Sequence, residues 1–108
     1  IVGGAYCDGG AWIAGSSREY KENITSLRTE EAFEALEGLN PVRFNYKKNV
    51  EEDYVGFIAE DVPELVATKN RKGINTMDVV AVLTKVVQDQ QRTIAELKER
   101  ITELEKKK

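Results

Sequence analysis

Ser16 and Lys21 are the pair in this 108-residue chain best placed to do chemistry together. A serine hydroxyl becomes a nucleophile when a neighbouring base takes its proton, and a lysine can be that base. The chain has no histidine, so a Ser-His-Asp arrangement is excluded. Ser16 precedes Lys21 by five residues and directly follows Gly15 and a Gly-rich opening. The lysine must be neutral to accept a proton. An ordinary lysine titrates near ~10.4, so burial or a neighbouring cation has to lower that value. Arg18 is a candidate cation. Ser17 offers a second hydroxyl one residue along.

Other reactive residues point to structural roles. The carboxylates of Glu60, Asp61 and Glu64 have no histidine and no spaced ligand set beside them, which suits helix capping and solvation better than a metal site. No metal and no cofactor is expected. Cys7 stands alone among glycines, so no disulfide can form within the chain. The opening Ile1-Val2-Gly3-Gly4 is similar to the activated start of trypsin-like proteases. The missing histidine, the missing Gly-Asp-Ser-Gly-Gly and the short chain rule that reading out.

A net charge of −3 and a pI near 5.1 argue against a nucleic-acid partner. No run of about 18 apolar residues is present, so no membrane-spanning helix is expected. Nor is there a basic start followed by an apolar stretch, the mark of a signal peptide. The first residue is Ile, which reads as a piece cut from a longer protein.

The elements that must hold Ser16 and Lys21 lie on both sides of them. Residues 1–15 contain five of the eight glycines and one charge, Asp8. Ala11–Ala14 reads as a short strand, weakened by the surrounding glycine. Composition turns sharply charged at Ser16, the clearest boundary in the chain. Ile24 and Leu27 are candidate anchors. Thr29–Gly38 reads as a helix with Thr29 as N-cap, early acidic residues, an apolar face of Ala32, Phe33 and Leu36, and Gly38 as the residue just past its end. Asn40-Pro41 stops it. Val42–Tyr46 alternates like a half-buried strand. Residues 47–53 read as a charged turn, and Tyr54–Ala59 as a second strand pairing with the first. Residues 61–66 form one helical turn with Pro63 near its start. After a turn at 69–73, Ile74 returns to the core.

From Thr76 the pattern is helical to the end. Val80, Val87, Ile94 and Ile101 fall at heptad position a, and Leu83, Gln90, Leu97 and Leu104 at d. Val79, Val82 and Val86 widen the first part enough to pack on the small domain too. Beyond Gln88 only the seam is apolar, so this helix must associate with copies of itself. β-Branched residues at a with Leu at d favour a parallel dimer, while Gln90 in the core fits a dimer or a trimer. Arg100 and Glu105 are placed to pair between chains, and Glu103 with Lys107 within one.

Three segments carry a resemblance. Ser16-x-Arg18-x-x-Lys21-x-x-Ile24, Asn40-Pro41-Val42-x-Phe44-x-Tyr46 and Gly56-Phe57-Ile58-Ala59-Glu60-x-Val62-Pro63-Glu64-Leu65-Val66 precede the heptad helix in that order. Together they resemble the intramolecular chaperone auto-processing domain, a self-cleaving serine-peptidase-like domain at the C-terminus of phage tail spikes, tail fibres and endosialidases. The resemblance covers about residues 16–104. Ser17, Tyr20 and Glu60 differ from the residues usual in that family.

The resemblance implies an α+β fold: a small helix-plus-β-hairpin domain at 16–75, then a long C-terminal helix at 76–108 forming a parallel trimeric coiled coil. It implies that residues 1–15 are the end of a preceding β-rich stem. The partners would be two further copies and that stem, with no nucleic acid and no membrane. The domain would trimerise, assist folding of the stem, and cut the chain between Gly15 and Ser16, with Ser16 as nucleophile and Lys21 as general base. The five-residue spacing favours Ser16 over Ser17 for this role. The parent would be a phage fibre or spike precursor made in the host cytoplasm, with the chaperone part released after cleavage. The competing expectation is a permanent trimeric tip that does not cleave. A coiled-coil adaptor for some host partner is a third, and it predicts a dimer with no use for Ser16.

Overall fold

The computed structural model describes residues 5–107. The expectations that touch residues 1–4 and Lys108 lie outside the described residues. The fold is α+β, with two separate β-hairpins, a short helix and a long C-terminal helix.

The first hairpin pairs β1 (Ala5–Asp8) with β2 (Ala11–Ala14), antiparallel, Cys7 opposite Trp12. Strand β1 is a correction to the sequence reading, which weighed the glycines against regular structure. Gly9 and Gly10 sit in the turn, at φ +58 and +88. Two successive positive φ values make the tight turn whose twist matches paired strands, and glycine adopts them without a Cβ clash. Among the described residues, β1 and β2 lie against each other and close to no other strand or helix.

Helix α1 (Thr29–Gly38) covers the predicted stretch, but its caps lie one residue further out at each end than the sequence suggests. Thr29 is its first helical residue rather than its cap. Arg28 takes the extended capping conformation, and its backbone N–H donates to Glu31 Oε1 at 2.9 Å. The helix's own third residue therefore satisfies the N-terminal donor. Gly38 is the last helical residue and is not left-handed. Its lack of a side chain serves a contact instead: a Cβ there would lie 2.8 Å from Pro63 Cγ.

Strand β3 (Val42–Tyr46) pairs with β4 (Asn49–Gly56). The second strand thus begins within the expected turn, at Asn49, and ends before Phe57. Phe44 faces Tyr54 and Tyr46 faces Asn49, so the register slips between them. Asn45 Nδ2 spans the irregularity, donating to Asp53 Oδ1 at 2.5 Å and to the Glu52 carbonyl at 3.4 Å. Charged residues 51–53 fit this strand because both faces of the hairpin meet water there. Phe44, Tyr46 and Tyr54 cluster, with ring centroids 5.2–5.9 Å apart.

Two 3₁₀ turns follow, Ala59–Asp61 and Glu64–Val66, the second introduced by Pro63. Ile74 bridges to Ala67 and packs on the core. Arg71 holds the loop between them. It adopts φ 54, and its guanidinium donates to the carbonyls of Val62 at 2.9 Å and Glu60 at 3.4 Å.

Helix α2 (Thr76–Lys106) runs 31 residues, about 46 Å. Asn75 caps it, accepting from the Met77 N–H at 3.0 Å. The core is Ala32, Ala35, Val62, Val66, Val79, Val82 and Val86. Two alanines let α1 lie close on α2, and valines fill what remains. Leu27, Phe33 and Leu36 sit at the margin, whereas Ile24 is 54% exposed and anchors nothing in this chain. Glu103 and Lys107 form no ion pair among the described residues.

Candidate functional site

Strand β2 ends at Ala14, and Gly15 and Ser16 follow it directly. The chain then makes a 3₁₀ turn at Arg18–Tyr20, closed by Tyr20 N–H to the Ser17 carbonyl and Lys21 N–H to the Arg18 carbonyl, both at 3.1 Å. The turn shortens the path between residues 16 and 21. It brings Lys21 Nζ to 2.5 Å from Ser16 Oγ, with the amine donating to the hydroxyl oxygen.

Ser17 has a different task. Its Oγ accepts the Glu19 N–H at 3.3 Å and caps the same turn. The two neighbouring hydroxyls are therefore separated by geometry: one meets the lysine, the other starts the turn. Residue type alone left that choice open.

Asn23 comes two residues after Lys21 at φ 55. Left-handed backbone is costly for most side chains and least so for asparagine among those with a Cβ. It turns the chain toward Ile24 and Leu27, and Leu27 ties the segment to the core.

Ser16, Ser17, Arg18 and Lys21 are all exposed. Arg18 makes no ion pair or side-chain hydrogen bond among the described residues. The single chain sets the pair's distance but does not surround it with protein. Nor do the described residues include a cluster of three His, Cys, Asp or Glu suited to a metal. No described helix is long and apolar enough to cross a membrane.

The residues expected to form a seam lie on one stripe of α2. Val80, Leu83, Val87, Ile94, Leu97, Ile101 and Leu104 are 42–62% exposed, and Gln90 lies in line with them. Val79, Val82 and Val86 face α1 instead and are buried. The helix thus has one apolar face already packed and a second one open. That second face is a contiguous exposed apolar stripe larger than scattered surface hydrophobes would make.

One arrangement went unforeseen. A groove of about 450 Å³ opens between the hairpin and the 68–74 loop, lined by Phe44, Tyr46, Phe57, Ile58, Glu60 and Lys72 among others. Lys72 Nζ pairs with Glu60 Oε2 at 3.3 Å on its rim. Glu60's carboxyl is held below its ordinary value of 4.5, first by its own backbone N–H and then by Lys72. Residues twelve apart in sequence give no local signal of such a pair.

Set against known families, residues 16–70, just over half of the chain, match the model of a peptidase-named family described as the chaperone of endosialidase. The matched stretch begins at Ser16 and stops before α2. No curated protein and no solved structure matches the chain.

Proposed function

The chain belongs to the endosialidase-chaperone family, and on that premise we propose that it is a C-terminal intramolecular chaperone that cleaves itself from its own parent. In this reading residues 1–15 end a β-rich stem, 16–75 form the chaperone domain and 76–108 its trimerising helix. The parent is a phage tail fibre or spike precursor made in the host cytoplasm. A stem built from three chains needs many contacts between distant residues, which form slowly. A heptad helix forms from local contacts and gathers the three chains first, raising the effective concentration of the stem segments.

The observation that carries the cleavage step is the 2.5 Å contact between Lys21 Nζ and Ser16 Oγ, with Ser17 engaged elsewhere. Neutral Lys21 takes the hydroxyl proton as Ser16 Oγ attacks the carbonyl carbon of Gly15. The C–N bond then breaks, Lys21 returns the proton to the departing Ser16 nitrogen, and Gly15 is held as an ester on Oγ. Water hydrolyses that ester, giving a Gly15 carboxylate and a free Ser16 amine and hydroxyl. Assembly of the three copies supplies the water-poor surroundings that a neutral lysine needs.

A permanent, uncleaved trimeric tip is the second reading, and the exposure of both residues favours it. Intact masses under denaturing conditions decide between the two. The chain with its preceding stem is compared with its Ser16→Ala form. Two fragments meeting at Gly15–Ser16 in the first and a whole chain in the second support self-cleavage. Two whole chains, under conditions where the protein is trimeric, leave the tip reading.

A further inference from the structure

On the other side of the seam from α1, a groove of about 400 Å³ runs along the first third of α2, beneath the segment that carries Ser26 and Leu27. Met77, Val80, Ala81, Thr84 and Lys85 line it. It continues into the shallow apolar depression of the seam itself through Val80 and Thr84. Met77 is 59% exposed and Ala81 is exposed.

Heptad geometry says what meets this groove. Met77 and Thr84 occupy position e, and Val79 and Val86 occupy position g. In parallel coils the g side of one helix lies beside the e side of the next. In this chain the g side is not bare: α1 covers Val79 and Val86. Association along the seam therefore brings α1 of one copy against the e-side groove of its neighbour. Charge agrees. α1 carries Glu30, Glu31, Glu34 and Glu37 and no basic residue, while the groove has Lys85 and no carboxylate.

We infer that the groove under Ser26 and Leu27 is the seat of α1 from a second copy of this chain, so that each copy covers the segment leading out of its neighbour's Lys21. This rests on the seam being the interface between copies. In a closed ring the contact runs head to tail and is repeated at every subunit. Lys21 lies only six residues before Leu27, so the chain around the Ser16–Lys21 pair becomes anchored on both sides only after assembly.

Sedimentation equilibrium of the full chain tests this with three substitutions. Ala81→Glu places an acid on the groove floor. Ala95→Glu makes the same change at the same heptad position two repeats on, where α2 is exposed and lies outside groove and seam. Leu97→Asp breaks the seam. The expected result is dissociation with Leu97→Asp, at least tenfold weaker assembly with Ala81→Glu, and no change with Ala95→Glu. Adding Glu34→Lys and Glu37→Lys to the Ala81→Glu chain should restore much of the loss. If Leu97→Asp stays assembled, the seam reading itself is overturned. If Leu97→Asp dissociates but Ala81→Glu behaves like Ala95→Glu, the groove is not an interface. If Ala81→Glu weakens assembly and the lysines restore none of it, α1 is not the occupant.

Discussion

Gly38, at the exposed end of α1, lies against the Pro63 ring, so near that a Cβ on residue 38 would come to 2.8 Å from its Cγ. A proline ring cannot swing aside. Gly38→Ala gains some helix propensity, about 1 kcal/mol at most in a helix interior and less at this last position. Gly38 is exposed, so crowding there falls at the low end of the about 1–3 kcal/mol of core overpacking and still outweighs the small gain at a helix end. Urea unfolding at fixed protein concentration should show a net loss of about 1 kcal/mol, and an unchanged or raised midpoint would disprove the contact's importance.

The division of labour between Ser16 and Ser17 predicts unequal losses. Lys21→Ala should slow cleavage before Ser16 by on the order of 10²-fold or more, the usual worth of a general base, and Ser16→Ala should abolish it. Ser17→Ala removes only a turn cap and should leave most of the rate. Single-turnover cleavage followed by mass is the measurement. A Lys21→Ala chain that cuts at the normal rate would refute the mechanism.

Glu60 makes the 68–74 loop sensitive to acid. Its folded-state titration is depressed, so the stabilisation it gives is complete above its ordinary value of 4.5 and is lost as pH falls through the lower folded value. Carbon-detected NMR should show the Glu60 carboxyl titrating below its ordinary value of 4.5. Lys72→Met should move it part of the way back, since the Glu60 backbone N–H, the larger cause, remains. A Glu60 that titrates at or above 4.5 in the unmodified chain would contradict the pairing.

Arg71 combines a left-handed backbone with two bonds to carbonyl oxygens. Arg71→Ala loses the bonds and keeps the strain, while Arg71→Gly loses the bonds and relieves it. Glycine should therefore be the more stable of the two by about 1 kcal/mol. Thermal unfolding of both variants checks the order, and equal midpoints would mean the loop relaxes.

Much of this architecture is legible in the residues. A helix over Thr29–Gly38 and the start of α2 at Thr76 agree with the sequence reading, because apolar periodicity and heptad spacing are local signals, whereas the caps of α1 fall on Arg28 and Leu39 instead of Thr29 and Gly38. The packed valines of α2 and its exposed apolar stripe separate on the same grounds. Residues 49–53 were harder. A strand wet on both faces has no alternation to betray it, so Glu51, Glu52 and Asp53 read as turn. Gly9 and Gly10 misled in the opposite way, since their density hid that they occupy one turn. The 2.5 Å approach of Lys21 to Ser16 depends on a 3₁₀ turn that no period reveals, although Ser17 is the kind of residue that begins one. Gly38 signalled a helix end, but the reason for it sits on Pro63, far along the chain.

The β1–β2 hairpin shares no packing with any other strand or helix. Among the described residues, a chain severed just after it parts two pieces whose strands and helices do not lie close together. Neither product has to unfold, even locally, for the two to part. Their separation rate is then that of diffusion, unless the copies of the chain are still wound around one another. A break placed instead between β3 and β4 would leave two pieces joined along a ladder of hydrogen bonds. Scission after Gly15 would thus cross no ladder of hydrogen bonds among the described residues.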